Sequence, residues 1–187
     1  MKKLNLFILI LIFFVVNGNA KVIILDKLED PGKTLQNQKW SFFTDRVMGG
    51  LSEGKVELDN IFSLPCYRMT GNVTTENNGG FIQMRVLTKP NISIKNHEGI
   101  FIKVYGNSKK YKLHIKTENT IAPWQHYSFS FFAENDWLEI KAPFSQFKKS
   151  NMYQPKKLLN QKINSIGLVA GYDNFKADIC LAEIGIY

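Results

Sequence analysis

The stretch Tyr111-Lys112-Leu113-His114-Ile115-Lys116 alternates apolar and polar side chains without a break. Because successive side chains of a β-strand point to opposite faces of a sheet, this pattern predicts a strand with one buried and one solvated face. Residues 126–131 alternate in the same way, with Tyr127, Phe129 and Phe131 in the apolar phase. The two stretches indicate a sheet that buries one face only.

Segments of this kind recur along the chain with turn residues between them, and helical periodicity is almost absent. Further strands are predicted at residues 22–25, 40–43, 55–58, 67–73, 81–87, 100–105, 137–142, 165–170 and 179–187. Turns are predicted at 59–60, 77–80, 106–108 and 172–174, where Asn, Asp and Gly tolerate positive φ or cap their own backbone. Many short strands without helices predict an all-β fold, a jelly-roll β-sandwich.

The longest irregular stretch, residues 145–160, is polar and rich in lysine. We expect it to cross one end of the sandwich, with a helical turn near residues 156–159. Pro155 disfavours a longer helix, because proline lacks an amide hydrogen and clashes with the preceding turn.

Residues 1–20 have the three parts of a secretory signal peptide of bacterial type: Lys2-Lys3, an apolar run at 4–16, and small or polar residues at 17–20. The apolar run spans 13 residues, fewer than the roughly 20 of a membrane-spanning helix. We predict export to the periplasm with cleavage after Ala20, a retained membrane anchor being the alternative. Residues 21–187 are then one domain that meets the membrane only through the signal peptide before cleavage.

The chain carries a formal net charge of +8, and loss of the two lysines in the signal peptide leaves +6. The lysines are scattered in pairs such as Lys109-Lys110 and Lys156-Lys157, which is typical of a solvated surface. An exported protein rarely meets nucleic acid, so we predict no nucleic-acid partner.

The only two cysteines, Cys66 and Cys180, belong to a chain predicted to enter an oxidising compartment. A disulfide is the candidate pairing there, and two buried free thiols are the alternative. Their spacing carries no zinc signature.

Enzyme signals are weak. Gly50-Leu51-Ser52-Glu53-Gly54 matches G-x-S-x-G, but the following residues 55–58 read as a strand, where a nucleophile elbow requires a helix. His97, His114 and His126 have no second ligand at metal-binding spacing, and their polar positions predict solvated side chains. The sequence therefore predicts no catalytic residue, no metal and no cofactor.

Two segments carry a Gly-Gly step after a strand: residues 40–52, WSFFTDRVMGGLS, and residues 71–81, GNVTTENNGGF. They resemble the complex I intermediate-associated protein 30 family, whose pattern has a Trp, then D-x-V-M-G-G-x-S, then G-x-V-x-x-x-N-N-G-G-F. The resemblance extends over the rest of the mature chain, through Tyr111, Trp124, Tyr127, Trp137, Pro143-Phe144, Ile166-Gly167-Leu168, 181–184 and Tyr187.

The resemblance implies a galactose-binding-like jelly roll, similar to carbohydrate-binding modules, in proteins not known as enzymes. It also implies a chaperone-like role, because mitochondrial members are assembly factors for the membrane arm of NADH:ubiquinone oxidoreductase. We therefore predict a non-catalytic binding protein with a protein client, such as a respiratory membrane complex.

Loops on a rigid scaffold are the usual place for recognition. The candidate binding residues are Asp45, Met48, Gly49, Gly50, Ser52, Asn77, Asn78, Gly79 and Gly80. The alternative is that their polar groups lock the two loops together, since Asp45 and Asn78 are suited to cap backbone amides.

A carbohydrate-binding module of the cell envelope is the alternative function, with an envelope glycan as partner. Sugar sites on such sandwiches combine aromatic platforms with planar polar groups. Trp124, His126, Tyr127 and Trp137 are candidates if exposed. Core packing is the competing interpretation, and it is favoured for Tyr127, which alternates in phase with Phe129 and Phe131.

Overall fold

The computed structural model describes residues 22–158 and 161–187; the predicted signal peptide and its cleavage site at Ala20 lie outside the described residues. The helices in the described ranges are the short 3-10 helices Asp45–Met48, Glu76–Asn78 and Phe144–Gln146, and none of them is long and apolar enough to cross a membrane. The strands are β1 (Ile23–Asp26), β2 (Trp40–Thr44), β3 (Glu53–Ile61), β4 (Leu64–Val73), β5 (Phe81–Ser93), β6 (Gly99–Tyr105), β7 (Lys109–Thr117), β8 (Tyr127–Ala133), β9 (Trp137–Pro143), β10 (Lys148–Lys149), β11 (Lys162–Gly171) and β12 (Phe175–Ile186).

These strands form two antiparallel sheets of six strands each. The first sheet has the order β3-β4-β12-β6-β9, and β1 also pairs with β12. The second sheet has the order β10-β8-β7-β11-β5-β2. A strand is present at every position where the sequence predicts one, so the prediction of an all-β sandwich is confirmed.

The core consists of every second side chain along the strands. On β5, Ile82, Met84 and Val86 are at most 1% exposed, and on β7, Leu113 and Ile115 are equally buried. Each such side chain contributes roughly 1.5–3 kcal/mol when it leaves water. The residues between them therefore point away from the core and form the outer face of the second sheet.

One predicted turn is misplaced. Strand β3 continues through residues 59–60, and the chain reverses at Phe62 and Ser63, whose φ angles are 50° and 64°. Ile61 pairs with Leu64 across this two-residue turn, as in hairpins whose two central residues both take positive φ. Pairing along the whole of β3 and β4 outweighs the local turn preference of Asp59-Asn60.

The lysine-rich stretch 145–160 also differs from expectation. It contains β10, which pairs with β8 and which the sequence analysis missed. The chain bends at residues 156–157 without forming a helical turn, and residues 159–160 lie outside the described ranges. The stretch begins within a 3-10 helix, Phe144–Gln146, and pairing of β10 with the edge of the second sheet then holds Lys148–Lys149 extended.

Cys66 of β4 and Cys180 of β12 form a disulfide, with their Cα atoms 5.5 Å apart. Both residues are out of phase with core residues such as Tyr67 and Ile179, so the disulfide lies on the outer face of the first sheet. Tyr105 and Trp137 pack against it. The outer face of the first sheet therefore carries this apolar cluster, whereas the outer face of the second sheet is open.

Candidate functional site

The outer face of the second sheet forms the floor of a cleft with a volume of about 820 Å³, which we call the sheet cleft. Volumes of this size are typical of small-molecule sites. The floor consists of outward-pointing residues of four adjacent strands: Gln83 and Arg85 of β5, Ser165 and Gly167 of β11, Lys112, His114 and Lys116 of β7, and Ser128 of β8. The alternation that buries the core therefore also creates a polar floor.

Strand register aligns part of this floor in one row. Arg85 lies opposite Gly167, Gly167 lies opposite His114, and His114 lies opposite Ser128. A Cβ atom at Gly167 would lie 2.0 Å from Nε2 of Gln83. Glycine thus makes room for the Gln83 amide to lie across β11, where it presents a planar polar group to the cleft.

Aromatic side chains stand around the floor. Phe43 and Phe81 meet edge to face, with ring centroids 6.1 Å apart. Trp124 is 70% exposed and Tyr172 is 53% exposed, and both line the cleft. The site therefore combines polar groups that can hydrogen-bond with apolar rings that can stack.

Three cationic side chains line the cleft, and each contacts another residue of its lining. The Arg85 guanidinium lies 4.9 Å from the centroid of Phe43, and the Lys112 ammonium lies 3.8 Å from that of Tyr172. Lys116 donates to the carbonyl of Pro123. Burial lowers the pKa of both lysines, with smaller contributions from Lys110 on Lys112 and from Arg85 on Lys116.

His114 and His126 stack at the centre of the floor, with ring centroids 3.9 Å apart. His114 is only 8% exposed, so the prediction that it is solvated is wrong: the sheet and the ring of His126 cover it. Its Nε2 is buried without a hydrogen-bond partner. Nδ1 of His126 lies 2.9 Å from the carbonyl of Trp124, so this nitrogen carries the proton and Nε2 is the acceptor in the neutral ring.

The surroundings of both histidines favour the neutral ring. Burial is the main cause that lowers the pKa of His114, followed by the charges of His126, Lys112 and Lys116. Burial also lowers the pKa of His126. Among the described residues, no three His, Cys, Asp or Glu side chains form a group that could hold a metal ion.

The low pKa of His114 predicts a loss of stability in mild acid. Well above pH 6.5, the ordinary pKa of histidine, the ring is neutral in both the folded and the unfolded chain. Below pH 6.5 the unfolded chain takes up the proton first, so the free energy of unfolding falls by at most about 1.4 kcal/mol per pH unit for each such histidine. Urea unfolding at decreasing pH should show this fall, and His114→Gln should reduce it; an equally steep fall in the variant would contradict the assignment.

The predicted loop residues meet around one buried carboxylate. Asp45 is fully buried and accepts hydrogen bonds from the amide and hydroxyl of Ser52 and from the amides of Gly80 and Phe81. The Ser52 hydroxyl in turn accepts from the Thr74 amide at 3.1 Å. Asp45 thereby joins the loop after β2 to the loop before β5, and we call this arrangement the Asp45 lock.

The two Gly-Gly steps fit around this lock. A Cβ atom at Gly50 would lie 2.4 Å from Cγ of Asp45, and one at Gly79 would lie 2.5 Å from its Oδ2. Gly49 and Gly80 have φ angles of 91° and 131°, which side chains rarely adopt. The glycines are therefore required by close approach to the carboxylate and by backbone conformation.

Hydrogen bonding keeps the Asp45 carboxylate ionised. Burial alone would raise its pKa, but the hydrogen bonds from Ser52, Gly80 and Phe81 together outweigh burial and lower it. Ser52 is also fully buried, and strand β3 follows it directly. The G-x-S-x-G match therefore lacks the exposed serine and the following helix of a nucleophile elbow.

The candidate binding residues separate into three groups. Met48, Asn78, Gly79, Gly80 and Trp124 line the sheet cleft. Asp45, Gly50 and Ser52 lie buried in the lock. Gly49, Asn77 and Trp137 do not line the cleft; Trp137 is in the first sheet, where its Nε1 donates to the Ile61 carbonyl at 3.2 Å.

Two further sequence interpretations can be compared with the geometry. Tyr127 is fully buried in the core. Its alternation in phase with Phe129 and Phe131 favoured this position in the sequence. Asn78 takes a φ angle of 56°, and within the described residues its side chain makes no hydrogen bond of the capping kind that we expected. Its contribution to the turn is its conformation.

Sequence reasoning missed the floor itself. Gln83, Arg85, Lys112 and Lys116 belong to the polar phase of strands that were predicted correctly. That phase was interpreted as solvated, and only the fold brings it together with Trp124 and Tyr172. The available signal was the concentration of long polar and cationic side chains in one phase of β5 and β7.

Comparisons with known proteins agree with this architecture. The family model described as complex I intermediate-associated protein 30 matches residues 29–182. No curated protein sequence matches the chain.

Several solved carbohydrate-binding modules have a similar fold. A family 11 module from Clostridium thermocellum, solved in complex with a beta-1,3-1,4-mixed-linked tetrasaccharide, has a TM-score of 0.68 and 18% identity, over 88% of this chain and 94% of that chain. The family 11 module of a cellulosomal cellulase of the same organism has a TM-score of 0.70 and 17% identity, over 89% and 94% of the two chains. A family 30 module has a TM-score of 0.51 and 12% identity, over 74% and 91%. At these identities the likeness concerns the fold alone.

Proposed function

The chain belongs to the complex I intermediate-associated protein 30 family, and we propose that it is an exported, non-catalytic binding protein that holds a saccharide chain in the sheet cleft. The signal-like residues 1–20 and the disulfide between Cys66 and Cys180 support export to the periplasm. The mature protein is then expected in the periplasmic fraction with Lys21 as its first residue. A chain that still begins at Met1 would contradict cleavage after Ala20, and its absence from the periplasmic fraction would contradict export.

The composition of the cleft carries this proposal. Saccharides present both hydroxyl groups and apolar ring faces, and the cleft offers matching groups for each. The Gln83 amide, the His126 imidazole and the Ser128 hydroxyl face the cleft, and Trp124 and Tyr172 expose aromatic rings beside them. Stacking and directional hydrogen bonds together are what a specific polar ligand requires.

A protein client is the second candidate function. Val47 and Met48 are 73% and 64% exposed at the rim of the cleft, and Leu51 is 46% exposed nearby. Exposed apolar side chains of this kind favour contact with a protein surface. Family membership supports the same role, because the resemblance implies assembly factors with protein clients.

A binding experiment with one aromatic variant tests the saccharide function. Purified protein is titrated against a panel of neutral and acidic polysaccharides by calorimetry. Trp124→Ala should weaken binding about five- to thirty-fold, because loss of one aromatic contact costs about 1–2 kcal/mol. Tyr153→Ala is the matched control: Tyr153 is 85% exposed and does not line the cleft.

The panel also separates the two candidates. Absence of binding to every polysaccharide would contradict the saccharide function. Capture of one defined protein that is lost in Met48→Ser, with no saccharide bound, would support the client function instead.

A further inference from the structure

We propose that the saccharide held by the sheet cleft is acidic, and that Arg85 and Lys112 bind its carboxylate groups. This inference rests on the proposed saccharide function and adds the charge and the binding groups of the ligand.

The charge of the cleft is one-sided. Arg85, Lys112 and Lys116 line it, and no Asp or Glu is found among its described lining residues. The other sheet offers a contrast, because Arg68 there lies 2.8 Å from Asp59 and 2.7 Å from Asp178. A concave site with charge of one sign concentrates the field and attracts ligands of the opposite sign.

Two of these cations keep their donors free. In the described part of the chain, neither Arg85 nor Lys112 makes a side-chain hydrogen bond or an ion pair, while Lys116 donates to Pro123. The rings of Phe43 and Tyr172 support Arg85 and Lys112 without using those donors. The planar fork of an arginine matches a carboxylate in two parallel hydrogen bonds.

One polar atom in the floor beneath these cations has no hydrogen-bond partner. Nε2 of His114 is buried in the cleft floor without a hydrogen-bond partner, and the residue is more than nine-tenths buried. A buried polar atom without a partner is costly. Because the ring of His126 stacks on His114, a ligand in the cleft reaches this nitrogen only if that ring moves aside.

The probes are polygalacturonate, alginate and the fully methyl-esterified form of polygalacturonate, which keeps the sugar chain and removes its charge. The native protein should bind the acid at least about tenfold more tightly than the ester, the ratio expected when charge-assisted hydrogen bonds are lost. Higher salt should reduce this preference, because screening weakens exposed charges first.

The double variant Arg85→Gln/Lys112→Gln should abolish the preference for the acid. Lys103→Gln/Lys176→Gln is the matched control: it removes the same formal charge from the first sheet, and neither lysine lines the cleft or joins an ion pair in the described structure. The control should keep the preference within about threefold, as expected when only long-range charge changes.

Three results would overturn the inference. Equal binding of the acid and the ester would contradict a preference for acidic saccharides and would leave the proposed saccharide function unaffected. An equal loss of the preference for the acid in both double variants would mean that net charge alone attracts the ligand. Binding of neither polyuronate would remove the acidic ligand, and the neutral members of the panel would then decide the saccharide function separately.

Discussion

Asp45→Ala is expected to lower the free energy of unfolding by about 3–5 kcal/mol, the range for loss of one partner from a buried charged network. The substitution leaves the amides of Ser52, Gly80 and Phe81 without an acceptor, and it leaves the Ser52 hydroxyl only the Thr74 carbonyl at 3.2 Å. All of them lie at the junction of the two loops. Urea unfolding followed by circular dichroism measures the change.

Asp45→Asn separates shape from chemistry. The amide has nearly the same volume, but it carries a donor in place of one carboxylate oxygen, so it cannot accept from the Ser52 amide on one side and from the amides of Gly80 and Phe81 on the other. We expect a large destabilisation here as well. Glu76→Ala is the control, because Glu76 is an exposed carboxylate in the same loop and should change stability by less than about 0.5 kcal/mol. An Asp45→Ala protein as stable as this control would contradict the lock.

Removal of the disulfide is expected to cost a similar amount. Cys66 and Cys180 are separated by 114 residues, and a crosslink that closes about 100 residues stabilises by roughly 4–5 kcal/mol in the chain-entropy model, with measured losses of about 2–5 kcal/mol. Cys66→Ala/Cys180→Ala should therefore shift the urea midpoint markedly to lower concentration.

A reductant provides the control for this prediction. It should lower the stability of the native protein to that of the double variant, while the double variant itself should not respond. Equal stability of the native protein with and without reductant would contradict a disulfide that spans most of the chain. The sheet cleft is on the other sheet, so at urea concentrations below the unfolding transition the double variant should retain its affinity for the ligand.

The fold was predictable because its dominant signal is local. Alternation in residues 111–116 and in 126–131 follows directly from the geometry of a strand that buries one face. The Phe62-Ser63 turn was not predictable in this way, because the pairing of β3 with β4 decides where the hairpin reverses. Strand β10 is two residues long and has too few positions to show alternation.

The site was only partly predictable, for a physical reason. The motif residues Asp45, Gly50 and Ser52 were found, but their role is to join two loops, and burial cannot be read from a motif. The floor residues Arg85 and His114 lie far apart in sequence and share one floor only because β5 and β7 both pair with β11. Long-range strand order thus determines the site, and local pattern does not contain that order.

We propose that the outer face of the second sheet binds a saccharide, and the three tryptophans of the chain make this binding directly measurable. Trp124 lines the cleft, Trp137 lies in the first sheet, and Nε1 of Trp40 donates to Asp26 at 2.6 Å. Each indole N–H gives its own signal in a nitrogen-15 correlation spectrum. On titration with oligogalacturonate, and with its methyl ester, we expect a saturable shift of the Trp124 signal with those of Trp40 and Trp137 unchanged. A shift confined to Trp137, or no shift of Trp124 with any saccharide that binds, would contradict it.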